Sequence, residues 1–187
     1  MPSAIPSERK TIGVFASQVG RAWGTEFING ITDAAEANDV NVVHFIGGNL
    51  RPITTPDHKI TFGLYDLAKP NQFDGLILTA DVGYGASAED LQQLREVYGN
   101  IPIVTQSVEV PGAAVFIPNN TDGMRAAVRH LIEEHGYKRI AFIRGIFRQI
   151  DADQRFQAYK DELKAHDLRY DENLVVDGDF SSESGRL

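Results

Sequence analysis

Short apolar runs alternate with amphipathic stretches along most of the chain. Thr11-Ile-Gly-Val-Phe-Ala16 is closed by a polar loop, and Phe27, Ile28, Ile31, Ala34 and Ala35 then recur at helical spacing up to Asn38-Asp39. This predicts strand, loop and amphipathic helix in turn. A second strand is expected over 40–46, stopped by Gly47-Gly48. Pro52 and Pro56 mark 49–57 as loop, and 60–67 fits a short helix or a strand pair across Gly63. Further strands are expected over 73–79, 101–105 and 113–117. Ser87-Ala-Glu-Asp90 carries a Ser N-cap with an acidic N3 residue, ahead of a helix with Leu91, Leu94 and Val97 inward. Thr121 or Asp122 is expected to cap a helix with Met124, Ala127, Val128, Leu131 and Ile132 inward, ended by Gly136. A strand over 139–143, a helix over 153–166, a short strand over 174–176 and a helix starting near Ser181 complete the pattern.

The strands are apolar throughout rather than alternating, as parallel strands covered on both faces are. The expected fold class is therefore α/β with doubly wound parallel sheets. Residues 1–10 hold two prolines, two serines and mixed charge, and are expected to form a flexible arm. Residues 11–107 are expected to form an N-terminal α/β lobe, and 108–187 the start of a C-terminal one. That second lobe has fewer strands and ends one turn into a helix, so it is expected to be incomplete, the chain being a fragment.

Composition narrows the function. The 187 residues contain 18 Lys+Arg against 26 Asp+Glu, a formal net charge of −8, with 42% hydrophobic and 24% charged residues. That is globular rather than disordered composition, and its sign disfavours a grip on nucleic acid by these residues themselves. With no Cys, disulfides, thiolate zinc sites and Cys nucleophiles are excluded. No apolar run approaches the ~20 residues that span a bilayer, and no signal peptide is visible. The expectation is a soluble, cytoplasmic chain without a membrane partner.

The chemistry is mostly negative. Gly83-Tyr-Gly-Ala-Ser-Ala88 has the form G-x-G-x-x-A, but it follows the third strand rather than the first. The next strand closes in Val104-Thr105-Gln106 with no acidic residue, so a dinucleotide fingerprint is disfavoured. A doubly wound nucleotide-binding enzyme using the 83–88 loop stands as the alternative. Neither a P-loop nor a G-x-S-x-G elbow is present. His130 and His135 are five apart, which on a continuous helix puts the rings ~140° apart about the axis. They are expected to serve structure: His130 half-buried near the helix–sheet contact, His135 beside the C-terminal carbonyls. Asp151 and Asp153 precede a helix and favour its positive end, and Asp151 is also counted among the candidate ligand contacts. No catalytic residue, metal ligand or cofactor is expected.

Three loops have the makings of ligand contacts. Gln18, Arg21 and Trp23 follow the first strand, and Trp23 is the only Trp; a ring face beside polar groups suits a sugar or heterocycle. The competing role for Trp23 is a staple under its own helix. Tyr84 and Ser107 lie in the loops after the third and fourth strands. Arg144, Arg148 and Arg155 follow the strand ending at Ile143. Arg155 starts a helix whose dipole its charge opposes, so it either pairs with Asp151 or Asp153 or reaches a ligand with its planar fork. In an open α/β sheet such loops share the carboxyl edge, where ligands bind.

Thr11-Ile-Gly-Val-Phe15, Phe73-Asp-Gly-Leu-Ile-Leu78 and Ile101-Pro-Ile-Val104 resemble the first lobe of the LacI/GalR-type effector domain. Asn119-Asn-Thr-Asp-Gly-Met-Arg, continuing through His130-Leu-Ile to Ile143-Arg-Gly145 and on to Arg155-Phe-Gln-Ala-Tyr159, resembles the opening of the second. The resemblance covers nearly all of the chain after Lys10. It implies a type I periplasmic-binding-protein-like fold whose two lobes close on a small-molecule effector, often a sugar or purine. First-loop contacts then fall at Ser17, Gln18, Ala22 and Trp23, and the second-lobe arginine at Arg155. Where the family often has Asp after its fourth strand this chain has Ser107, which weakens the case for a sugar hydroxyl contact. The resemblance implies a sensing domain, itself no enzyme, of a transcriptional regulator or a signal-transduction protein, with a homodimer as a possible assembly. DNA contact would need an N-terminal helix-turn-helix, for which the residues before Thr11 are too few. The Gly47-Gly-Asn-Leu-Arg-Pro52 and Ile143-Arg-Gly145 segments are more similar to sensors fused to histidine kinases or cyclic-dinucleotide cyclases.

Overall fold

The structure, a computed structural model, describes residues 9–17, 20, 22–50, 64–146, 149–180 and 184–186. The chain divides into two compact units, Met1–Phe116 and Ile117–Leu187.

The first unit runs β1 (Thr11–Ala16), α1 (Ala22–Ala37), β2 (Asn41–Ile46), 3-10 turns at Tyr65–Leu67 and Pro70–Gln72, β3 (Gly75–Leu78), α2 (Ala88–Tyr98), β4 (Ile103–Gln106) and β5 (Ala114–Phe116). Its strands form one parallel sheet in the order β2-β1-β3-β4-β5. Val14 pairs with His44 on one side and Ile77 on the other. This is the doubly wound 2-1-3-4-5 order, whose winding reverses between β1 and β3. Ser87 caps α2 as its sequence predicts: its hydroxyl oxygen accepts from the Asp90 amide while Asp90 accepts from Ser87 N–H. The core is aromatic. Phe15 stacks on Tyr65 with ring centroids 4.5 Å apart and meets Tyr98 edge-on at 5.6 Å. The Tyr65 hydroxyl bridges the carbonyls of Ala16 and Gly48, and the Tyr98 hydroxyl donates to the Ala68 carbonyl. Burial raises both phenols, Tyr98 to about 12, so they act as fixed donors at any physiological pH.

Two sequence expectations change here. β5 belongs to the first sheet, where it pairs with β4, so the first unit runs to Phe116 rather than stopping at 107. Of the expected arm 1–10, Arg9 and Lys10 are tied down, Arg9 to Asp39 and Lys10 to Asp74; the rest lies outside the described residues, as do the loop residues 51–63.

The second unit contains α3 (Asn120–Glu133), β6 (Phe142–Ile143), α4 (Ile150–Ala165), a 3-10 turn at Glu172–Leu174, β7 (Val175–Val176) and a 3-10 turn at Ser184–Arg186. β6 and β7 pair in parallel. Val128, Ile140, Tyr159 and Leu163 form its core, with Phe142 and Phe156 packed against it. α3 starts earlier than expected because Asn119, not Thr121 or Asp122, accepts the Asp122 amide. α4 also starts earlier, because the Gln149 side chain accepts from the Ala152 amide at 2.7 Å. Among the described residues no helix is long and apolar enough to cross a membrane.

Candidate functional site

The carboxyl edge of the first sheet carries a buried carboxylate. Asp81 Oδ2 accepts from the Ser17 amide (3.1 Å) and hydroxyl (2.6 Å). Thr79 Oγ1 touches Asp81 Oδ1 and, at 3.1 Å, the Phe15 carbonyl, its one proton serving either acceptor. The cluster sits just past the carboxyl ends of the paired strands β1 and β3, and it commits the Ser17 hydroxyl to Asp81. Ser107, which follows β4, is buried with a left-handed backbone (φ 52°) and donates its N–H to the Phe116 carbonyl at 3.0 Å. Tyr84 is half-buried in the turn after β3; its N–H donates to the Asp81 carbonyl. Of the other first-unit candidates, Trp23 lies in the first turn of α1. Gln18, Arg21 and the Trp23 side chain lie outside the described residues.

The glycines of the 83–88 loop have structural causes. A Cβ on Gly83 would stand 2.7 Å from Val108 Cγ2, and Gly85 turns at φ +76°. Close packing and a tight turn, not a pyrophosphate, require them.

In the second unit, five side chains interlock at the start of α3 and α4. Asn120, buried, places Nδ2 2.7 Å from Asp151 Oδ1 and 3.1 Å from both Gln154 Oε1 and the Pro118 carbonyl. Gln149 Nε2 donates to Asp151 Oδ2 at 2.9 Å. Asp151 is thus clamped by two amides and acts as an anchor. Arg155 Nε donates to Asn120 Oδ1 at 2.9 Å. Arg155 pairs with neither Asp151 nor Asp153; Asp153 is taken by Arg144 (3.3 Å), which also reaches Asp177 (3.4 Å) and covers the Phe156 ring at 4.3 Å. Among the described residues the terminal nitrogens of Arg155 have no hydrogen-bond or ion-pair partner, so one edge of its fork is fixed and the other is open. Arg148 lies outside the described residues.

Sequence reasoning missed Asn120, Gln149 and Phe180. Phe180 follows β7, half-exposed, with a left-handed backbone (φ 63°). Its ring lies on Gly145 so closely that a Cβ there would fall 2.1 Å from Phe180 Cζ. A side chain held in αL at a strand's carboxyl end is the kind of strain that clusters at functional sites. The one sequence signal is the pairing of an aromatic after β7 with glycines at 145 and 178.

The histidine expectation is corrected. His130 is exposed, and His130 Nε2 lies 3.2 Å from His135 Nε2. The ~140° separation holds only on a continuous helix, whereas α3 ends at Glu133 and Gly136 turns the chain at φ +66°.

The 2-1-3-4-5 parallel sheet, followed by a second α/β unit, is a fold this chain shares with solved LacI-family regulators. No family model matches the chain. It is similar to the HTH-type transcriptional regulator CelR of Thermobifida fusca, 37% identical over 89 residues that cover 48% of this chain and 25% of that protein. It is also similar to the HTH-type transcriptional repressor PurR of Vibrio atlanticus, 22% identical over 191 aligned positions covering 98% of this chain and 53% of that one. A solved LacI family transcriptional regulator from Mycobacterium smegmatis matches with a TM-score of 0.72 at 26% identity, over 93% of this chain and 58% of that one. Where nearly all of the chain is matched, it spans somewhat over half the length of these regulators. A nucleotide-binding enzyme is not favoured by any of these likenesses.

Proposed function

We propose that the chain is the effector-sensing domain of a LacI-type transcriptional regulator or of a signal-transduction protein, that its effector is a small sugar- or purine-like molecule, and that it carries out no chemistry. The observation that carries this reading is the half-committed guanidinium of Arg155, oriented through Nε by Asn120 with its remaining donors unpaired among the described residues. A pre-oriented planar fork binds ring heteroatoms or vicinal hydroxyls at low entropic cost. In this reading Arg155 touches the effector and Asn120 and Asp151 position it; within the first unit by itself, Gln18, Arg21, Trp23, Tyr84 and Ser107 stay candidate ligand contacts, while the Ser17 hydroxyl is held by Asp81. Binding biases the domain between two conformations, which is how a site without chemistry transmits a signal. We assign a cytoplasmic location and a homodimer to the whole protein, and any DNA contact to a segment other than these acidic residues.

The test is a thermal-shift and calorimetric screen of monosaccharides, disaccharides and purine bases beside NAD and ATP. At least one sugar or purine is expected to raise Tm, with the shift lost in Arg155→Ala and largely lost in Arg155→Lys, which keeps the charge without the fork. Stabilisation by NAD or ATP alone, dependent on Gly85, would overturn the reading.

A further inference from the structure

His130 and His135 face each other away from the polar cluster just described, at the other end of α3 from Asn120. Their Nε2 atoms are 3.2 Å apart, with ring centroids at 4.9 Å and ring planes at 85°. We propose that the two imidazoles form a binding site for a divalent transition-metal ion, Cu2+ in preference to Ni2+ or Zn2+.

The geometry is that of a shared ion. A metal–imidazole bond is about 2.0–2.1 Å, and angles from square-planar to tetrahedral place two ligand nitrogens about 2.9–3.4 Å apart. The observed separation falls inside that interval.

The backbone holds the pair in place. Glu134 N–H donates to the His130 carbonyl, Gly136 N–H to Ile132 and Tyr137 N–H to Leu131, so the chain doubles back as one hydrogen-bonded turn. Tyr137 stacks on the His135 ring at 5.4 Å and 13°, which restricts its rotamers before any ion arrives.

Both rings are exposed, so they ligate without a desolvation cost to the protein. Among the described residues no group of three or more metal-ligating side chains is present, so water completes the sphere and the ion exchanges readily. Borderline imidazole donors without thiolate follow the order that puts Cu2+ first. His166 is the contrasting case: Glu133 and the Glu162 carbonyl already engage its two nitrogens, at 3.1 and 3.0 Å.

The experiment is a Cu2+ titration of the chelator-treated chain, read by calorimetry and by electron paramagnetic resonance, which counts nitrogen ligands. The wild type is expected to bind an ion with two nitrogen donors. His130→Ala and His135→Ala are each expected to weaken that ion roughly tenfold or more, and the double variant little further, since neither ring chelates alone. His166→Ala is expected to bind like the wild type. Equal thermal melts of the metal-free proteins show that folding is not the cause, and His130→Gln serves where the alanine variant melts early. Unchanged affinity and nitrogen count in both single variants would overturn the site and leave a histidine–histidine hydrogen bond only.

Discussion

Each unit holds a buried polar cluster, and the two clusters are finished differently. Around Asp81 the donors are a backbone amide and two hydroxyls from neighbouring loops, so the carboxylate is consumed in tying β1 to β3. Around Asp151 the donors are two side-chain amides, and the chain of contacts runs outward through Asn120 to an arginine with donors to spare. A closed polar network specifies structure, whereas an open one holds a contact in readiness. Burial alone does not separate them, since Asp81 and Asp151 are 5% and 7% exposed; the unspent valence at the end of the network does.

The largest effect that would break this contrast is on the first cluster. Asp81→Ala strands the Ser17 amide and hydroxyl, while Thr79 keeps the Phe15 carbonyl, and is expected to cost about 2–3 kcal/mol in urea unfolding. An Asp81 variant of wild-type stability that fails only in effector binding would show that the two clusters do the same work. Arg155→Ala is expected to behave in the opposite way, with stability nearly unchanged and effector affinity down roughly tenfold or more. Asn120→Ala sharpens the comparison because Asn120 serves both ends of its network. It is expected to cost about 1–2 kcal/mol and to weaken the effector less than Arg155→Ala.

The smallest effects are those of pH, and they run in opposite directions in the two units. In the second, hydrogen bonds to Glu133 and then to the Glu162 carbonyl hold the His166 pKa above its ordinary value. That stabilisation is complete below pH ~6.5 and is lost as pH rises through the raised value. In the first, the Lys10 ammonium and then the Thr11 amide hold the Asp74 carboxyl below the usual carboxylate range. Its contribution is complete above pH ~4 and is lost as pH falls through the depressed value. Glu133→Ala should flatten the first slope and Lys10→Ala the second, in Tm measured from pH 3 to 9.

The strands and most of the helices were legible because burial on both faces writes uninterrupted apolar runs, and because a cap such as Ser87 satisfies backbone groups within four residues. The assignment of β5 was not legible: an apolar tripeptide does not state which sheet edge it will join. The starts of α3 and α4 were placed late because Asn119 read as a strand terminator and Gln149 is an uncommon cap. At the site, Arg155 stood out by opposing its helix dipole. Asn120 and Phe180 did not, since a buried amide partner and a positive φ are set by neighbours distant in sequence. The histidines failed for one identifiable reason, a helical period carried past the last helical residue.

Phe180 sits in a backbone conformation that costs a side-chain-bearing residue about 1–2 kcal/mol, with the tip of its ring against Gly145. The ring occupies the space that a Cβ at 145 would need. Any side chain at 145 would have to evict that ring first, so the glycine is a condition of Phe180 keeping its place.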